Sequence, residues 1–177
     1  GTPAKKENTY DGLKPSRSAW DSNKVSCSTK FIGLIWDAQG GGAFAVMDVN
    51  KRGKLGQIPL ITGHSGDVLD IEFSPFNDNL VASVSEDCYG KLWSIPDGGL
   101  TSNMTDPVQT LSGHRRKIGT LNFNPVANNV LATTANDNTV KIWDVETGSV
   151  SLSSESLSDI CQSSCWNYNG SLLYTTP

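Results

Sequence analysis

The sequence predicts an all-β fold assembled from repeated four-stranded units. Three observations predict it. Glycine supplies 17 of the 177 residues, above the usual share of roughly 7%, which favours a chain rich in turns and short strands. A block of sequence recurs at a fixed offset. Within each copy, short β-branched and alternating runs are separated by turn signals.

The recurrence is the strongest of the three. Gly63-His64 returns as Gly113-His114, Asp87 as Asp137 and Trp93 as Trp143, each 50 residues on. The intervening text follows the same register: Asp70-Ile-Glu-Phe-Ser-Pro75 against Thr120-Leu-Asn-Phe-Asn-Pro125, and Asn79-Leu-Val-Ala-Ser83 against Asn129-Val-Leu-Ala-Thr133. The second copy ends in Trp143-Asp144. This is the Gly-His to Trp-Asp signature of the WD repeat, whose unit is one four-stranded blade of a β-propeller.

Each element has its own justification. Val68 to Phe73 alternates along its length and reads as a strand. Ser74 to Asn79 is a turn, Leu80 to Val84 a β-branched strand, Ser85-Glu-Asp87 a turn, and Lys91 to Ile95 a further strand. The period exceeds the usual ~40–45 residues. Pro96, Asp97, Gly98, Gly99 and Pro107 account for the excess as a long loop between blades. Two fainter copies flank the pair. Upstream, Phe31 to Trp36 and Ala43 to Val49 are strands joined across Gly40-Gly-Gly42. Downstream, Cys165-Trp-Asn-Tyr-Asn-Gly-Ser171 mirrors the region from Glu72, and Leu172 to Thr176 matches the next strand, but the Gly-His position reads Ser156-Leu157.

The organisation expected is a basic segment over 1–28, a degenerate blade over 29–60, WD repeats over 61–108 and 109–153, and the start of a fourth blade over 154–177. That is about three and a half blades of a partial propeller. Closed propellers have about 4 to 8 blades, so the reading expects a piece of a longer, seven-bladed ring, or two copies that complete one together.

Charge and composition narrow the function. Residues 1–30 carry six bases (Lys5, Lys6, Lys14, Arg17, Lys24, Lys30) against three acids, whereas residues 31–177 carry eight bases against fifteen acids. A basic arm on an acidic body points to an acidic partner for the arm. No apolar run approaches the ~18 residues of a membrane span, and no secretory signal opens the chain. Cys27, Cys88, Cys161 and Cys165 fit buried free thiols better than a disulfide framework, and with only two histidines they offer no zinc-ligand spacing. No cofactor is expected.

Several residues resemble catalytic groups. His64, Asp87 and Ser83 are the elements of a hydrolase triad, and His114, Asp137 and Thr133 repeat them. An active site duplicated in register is the weaker reading, and no Gly-x-Ser-x-Gly elbow precedes either hydroxyl. The repeat suggests instead two buried polar chains, His64-Ser83-Asp87-Trp93 and His114-Thr133-Asp137-Trp143, in which Asp accepts from His, His holds the hydroxyl and the hydroxyl accepts from the indole. Gly40-Gly-Gly42 lacks the Lys-Ser/Thr of a phosphate loop and reads as a hairpin turn needing positive φ. Arg115-Arg116-Lys117 and Lys51-Arg52-Lys54 occupy turns without interleaved aromatics, so nucleic acid is not the expected partner.

The chain resembles the N-terminal half of the coronin propeller. The resemblance rests on Ser18-Ala-Trp-Asp-Ser-Asn23, Gly40-Gly-Gly-Ala-Phe44, Ser85-Glu-Asp-Cys88, Trp93-Ser-Ile-Pro-Asp-Gly-Gly-Leu100, Gln109-Thr-Leu-Ser-Gly-His-Arg-Arg-Lys117 and Trp166-Asn-Tyr-Asn-Gly-Ser171. It runs from about Lys5 to Thr176. It implies a non-enzymatic, cytoplasmic protein of the actin cytoskeleton that binds F-actin and influences filament branching and turnover, with the branched-actin nucleating complex as a further partner. It also implies that the basic residue just before the Trp-Asp-Ser motif contributes to filament binding. Here that is Lys14, with Arg17 second; Pro15 holds Lys14 extended. The family adds a strand-forming segment before Lys5, further blades and an oligomerising C-terminal coiled coil, none within these 177 residues. The competing reading is a generic WD-repeat scaffold for other complexes, because the fold serves many functions.

Overall fold

A computed structural model describes residues 2–3 and 5–176. It contains three four-stranded antiparallel sheets and two two-stranded ones. Sheet 1 pairs Val25–Cys27, Phe31–Ile35, Phe44–Asp48 and Leu60–Ile61 in that order. Sheet 2 pairs Val68–Phe73, Leu80–Ser85, Tyr89–Ser94 and Gln109–Ser112, and sheet 3 pairs Ile118–Phe123, Val130–Ala135, Val140–Asp144 and Ser149–Ser153. Ser163–Trp166 and Leu173–Thr176 form one two-stranded sheet, antiparallel, and Tyr10–Asp11 with Gly53–Lys54 the other. The first strands of successive sheets lie side by side, which is the arrangement of propeller blades around an axis. The architecture is all-β and a partial WD-repeat propeller.

Three strands fall where the Gly-His repeat does not put them. Val25–Cys27 is the inner strand of sheet 1, inside the segment 1–28. Gln109–Ser112 is the outer strand of sheet 2, pairing Leu111 with Gly90, although in sequence it opens the second WD repeat. Leu60–Ile61 closes sheet 1 in the same way. The repeats are therefore staggered by one strand against the sheets. The stagger ties each repeat to its neighbour through backbone hydrogen bonds as well as side chains.

The core lies between sheets. Phe31, Ile35, Phe44 and Val46 of sheet 1 pack against Ile71, Phe73, Val81 and Trp93 of sheet 2. Val84, Leu92 and Leu111 of sheet 2 pack against Leu121, Leu131 and Trp143 of sheet 3. Each tryptophan thus faces the preceding blade. Trp93 meets Phe44 edge-on at 6.1 Å between ring centroids, a favoured aromatic geometry. Burial of side chains this size contributes about 1.5–3 kcal/mol each.

In a four-stranded meander, alternate connections emerge at the same end of the sheet. Residues 36–43, 62–67, 86–88, 113–117 and 136–139 therefore share one end of the blades, called here the upper end. Gly40, Gly41 and Gly42 have φ of 87°, 68° and 72°, a left-handed run that side chains would strain. The thiols differ from expectation. Cys161 is buried, but Cys27 and Cys165 are exposed, because each sits on the outward side of a strand whose accessibility alternates.

The N-terminal arm is not a free tail. The backbone from Lys14 to Ser16 runs beside the end of Phe31–Ile35. Pro15 bridges Trp36, the Asp37 N–H donates to the Lys14 carbonyl at 2.8 Å and the Ser16 N–H to the Ile35 carbonyl at 2.9 Å. Tyr10–Asp11 also pairs in parallel with Gly53–Lys54, so part of the expected turn at 51–54 is a short strand. The basic arm is ordered because its backbone polar groups find partners on sheet 1.

Candidate functional site

Two sets of residues carry the chemistry: the buried polar chains of blades 2 and 3, and the basic residues at the upper end.

In blade 2, His64 Nδ1 lies 2.9 Å from Asp87 Oδ2 and Nε2 lies 2.7 Å from Ser83 Oγ. The Trp93 indole N–H donates to Ser83 Oγ at 2.9 Å. In blade 3, His114 Nδ1 lies 3.0 Å from Asp137 Oδ2, Nε2 lies 2.8 Å from Thr133 Oγ1, and the Trp143 indole N–H donates to Thr133 Oγ1 at 2.8 Å. The protons follow from chemistry. An ionised carboxylate only accepts, so Nδ1 carries the imidazole proton. Nε2 then accepts from the hydroxyl, and the hydroxyl accepts from the indole.

Electrostatics support that assignment. Burial pushes the Asp87 carboxyl up, but hydrogen bonds from His64 and the Tyr89 and Ser65 amides outweigh it and hold the carboxyl below its usual range. Asp137 is held low against the same burial by Arg115 N–H, the Thr139 hydroxyl and His114. Burial holds His114 below the usual imidazole value, against the pull of Asp137. Ser83 and Thr133 are both 0% exposed. A substrate carbonyl has no approach to either hydroxyl, and each is already engaged by an indole. The geometry is that of a structural strut from strand to turn to loop.

The basic residues gather at the upper end. Lys14 and Arg17 are exposed, with Arg17 3.6 Å from Asp37. Arg115 and Arg116, also exposed, stand on the loop between sheets 2 and 3. Lys24 and Lys117 are engaged internally. The Lys24 ammonium donates to the Ser18 carbonyl. Lys117 stands 4.8 Å from the centroid of the Trp20 ring and 3.6 Å from Glu86.

Sequence reasoning missed two arrangements. Trp20 crosses to blade 3 and donates its indole N–H to the Gly119 carbonyl at 2.9 Å; a glycine inside an otherwise regular strand was the available signal. Asp70 and Glu72 face the axis and reach the neighbouring inner strand. Asp70 accepts the Leu121 N–H at 3.2 Å, and Glu72 accepts the Phe123 N–H at 2.7 Å. Burial raises both carboxyls to about 7 against those hydrogen bonds. Together with Asp21, Asn23 and Asn122 they line a 430 Å³ cavity. Among the described residues no cluster of His, Cys, Asp and Glu could hold a metal, and no helix is long and apolar enough to cross a membrane.

Fold and buried chains together define a WD-repeat propeller chain: the family model for the WD domain, G-beta repeat, matches residues 56–94 and 105–144. Within that class the chain is similar to the coronins. It is 61% identical to Coronin-A of Dictyostelium discoideum over 172 residues, which cover 97% of this chain and 39% of that protein. The WD40 domain of Toxoplasma gondii coronin superposes with a TM-score of 0.91 at 28% identity, covering 96% of this chain and 44% of that one. A domain of unknown function, DUF1899, matches residues 1–54, which takes in the arm and sheet 1. The chain spans less than half the length of these relatives.

Proposed function

We propose that this chain belongs to an actin-filament-binding, coronin-like protein that organises the cytoplasmic actin cytoskeleton by binding and not by catalysis. The observation that carries the reading is the state of Lys14. Its backbone is fixed by the Asp37 N–H while its side chain stays exposed, so the ammonium is presented from an ordered position. Arg17, Arg115 and Arg116 stand at the same end and suit the acidic surface of a filament. Arg17 shares its charge with Asp37, which makes it the weaker contributor.

A surface cation of this kind acts through association rate and salt dependence. Lys14→Asp, made in the full-length protein, weakens co-sedimentation with filaments by about tenfold at low salt, equivalent to roughly 1.4 kcal/mol. Lys14→Ala weakens it less, and both differences shrink as salt rises. Folding stability stays within about ±0.5 kcal/mol, as for other surface changes. Parental co-sedimentation of Lys14→Asp at low salt would overturn the site and leave the generic WD scaffold as the better reading.

A further inference from the structure

The inner strands of sheets 2 and 3 each carry a bulge at the same place. In sheet 2 the register shifts between Val68 and Asp70, leaving Leu69 unpaired with the next strand. In sheet 3 it shifts between Ile118 and Thr120, leaving Gly119. A bulge leaves one residue's backbone without its ladder partner. Blade 2 fills its bulge with the buried side chain of Leu69. Blade 3 has no side chain there, and the arm supplies one. A Cβ on Gly119 would collide with the Trp20 ring. The indole N–H satisfies the Gly119 carbonyl, 99 positions along the chain, and the Lys117 ammonium approaches the ring. Lys117 is itself close to Glu86 of blade 2.

We propose that Trp20 is the positioning residue of the basic arm: seated on the bare bulge at Gly119, it fixes where Lys14 and Arg17 stand relative to Arg115 and Arg116. Without it, the arm is held on the blade 1 side alone, by the pairing around Pro15 and by that of Tyr10–Asp11 with Gly53–Lys54. The loop between Ser16 and Val25, which reaches over to blade 3, then loses the hydrogen bond that Trp20 makes there. Removing the indole takes away a hydrogen bond and a cation–π interaction together, so the arm opens at least about tenfold more often. The proposal rests on the filament-binding reading above for its functional half, and on the seating of the ring for its structural half.

Two variants test it by opposite routes. Trp20→Ala removes the ring. Gly119→Leu gives blade 3 the residue that blade 2 carries and expels the ring while keeping the bulge filled. Hydrogen exchange of the Ser16 and Asp37 amides, both bonded across the arm, reports docking. The amides of Leu131 and Thr133, in the central strand of sheet 3, report the integrity of blade 3. In both variants the arm amides exchange at least about tenfold faster, blade 3 amides keep their protection, and filament co-sedimentation weakens severalfold. Trp20→Phe restores part of the protection through ring packing alone. The double variant is no worse than either single one, because both remove the same interaction.

Parental protection of Ser16 and Asp37 in Trp20→Ala overturns the proposal. So does a released arm with parental filament binding, if Lys14→Asp in the same assay does weaken binding. If Lys14→Asp has no effect, the filament reading fails, and the exchange data alone decide whether Trp20 clamps the arm.

Discussion

Blade 1 and blade 2 meet the same packing requirement with different chemistry. Phe31 pairs with Asp48 as Leu80 pairs with Ser94, so Leu34 and Met47 of blade 1 occupy the register positions of Ser83 and Trp93. Both are buried, and neither offers a hydrogen bond. Blade 2 ties its upper turn to the preceding loop through Asp87 and His64. Blade 1 has no such strut, and its upper connection is held from outside by Lys14 and Ser16 of the arm. The comparison teaches that a repeat can lose its internal polar chain when another segment takes over the loop. It also explains why the arm is ordered: it occupies the place of a missing strut.

The largest expected effect comes from cutting a strut. His64→Ala leaves the carboxylate of Asp87 and the hydroxyl of Ser83 without their partner in a buried setting, and it lowers stability by about 1–3 kcal/mol. Met47→Leu at the equivalent level of blade 1 costs under about 1.5 kcal/mol, because volume is kept and no polar group is stranded. Blade 3 sharpens the contrast. The Thr139 hydroxyl donates to Asp137 Oδ1 at 2.7 Å, a side-chain bond that Tyr89 cannot supply to Asp87. His114→Ala therefore costs less than His64→Ala. Denaturant midpoints of the three variants check the order, and equal losses for His64→Ala and Met47→Leu would remove the distinction between strut and aliphatic packing.

Much of this was legible in the sequence, for a physical reason. The polar chains lie within one repeat, so His64, Ser83, Asp87 and Trp93 recur at a fixed offset and announce themselves by self-comparison. The first three strands of sheets 2 and 3 were legible for the same reason, but their outer strands, Gln109–Ser112 and Ser149–Ser153, were not. Contacts between repeats leave no such trace. The docking of Trp20 on Gly119 joins the arm to blade 3 and has no second copy to be compared with. The alternation of Val68 to Phe73 placed Asp70 and Glu72 on one side, but it did not say that this side would bond the next blade. The stagger of strands against repeats was invisible because Gly-His marks a loop, not a sheet boundary.

The seams between inner strands offer a second comparison, with an intermediate effect. The seam between blades 1 and 2 is stitched by a neutral group, the Phe73 N–H donating to Ser26 Oγ at 3.0 Å. The seam between blades 2 and 3 uses the carboxyls of Asp70 and Glu72. Their values rise from 3.8 and 4.5 to about 7 on folding. The folded state therefore holds protons that the unfolded chain has released. The associated stability is full below about pH 4 and is lost as pH rises towards 7. Asp70→Asn with Glu72→Gln should remove this fall. Thermal melts between pH 5 and 7.5, read as the difference between parent and double variant, cancel the opposing contribution of His114, whose lowered value makes stability fall as pH drops below its ordinary 6.5. A difference that does not change with pH would show that burial at this seam does not control the two carboxyls.

The smallest expected effect separates blades 2 and 3 at one turn residue. Cys88 and Asn138 occupy equivalent positions, with φ of 71° and 60°. Both are in the left-handed region, where asparagine is tolerated far better than other side chains. Asn138 also directs its amide towards the Leu157 carbonyl at 3.4 Å. Burial, with the nearby carboxylates of Asp87 and Asp137, pushes the Cys88 thiol up, so it stays protonated and contributes no charge to the turn. Cys88→Asn should relieve the backbone cost and stabilise the protein by up to about 1 kcal/mol. The reciprocal Asn138→Cys should destabilise by a similar amount. If Cys88→Asn lowers the melting temperature instead, the thiol is making a packing contribution larger than the strain of its backbone, and the two turns are equivalent in shape only.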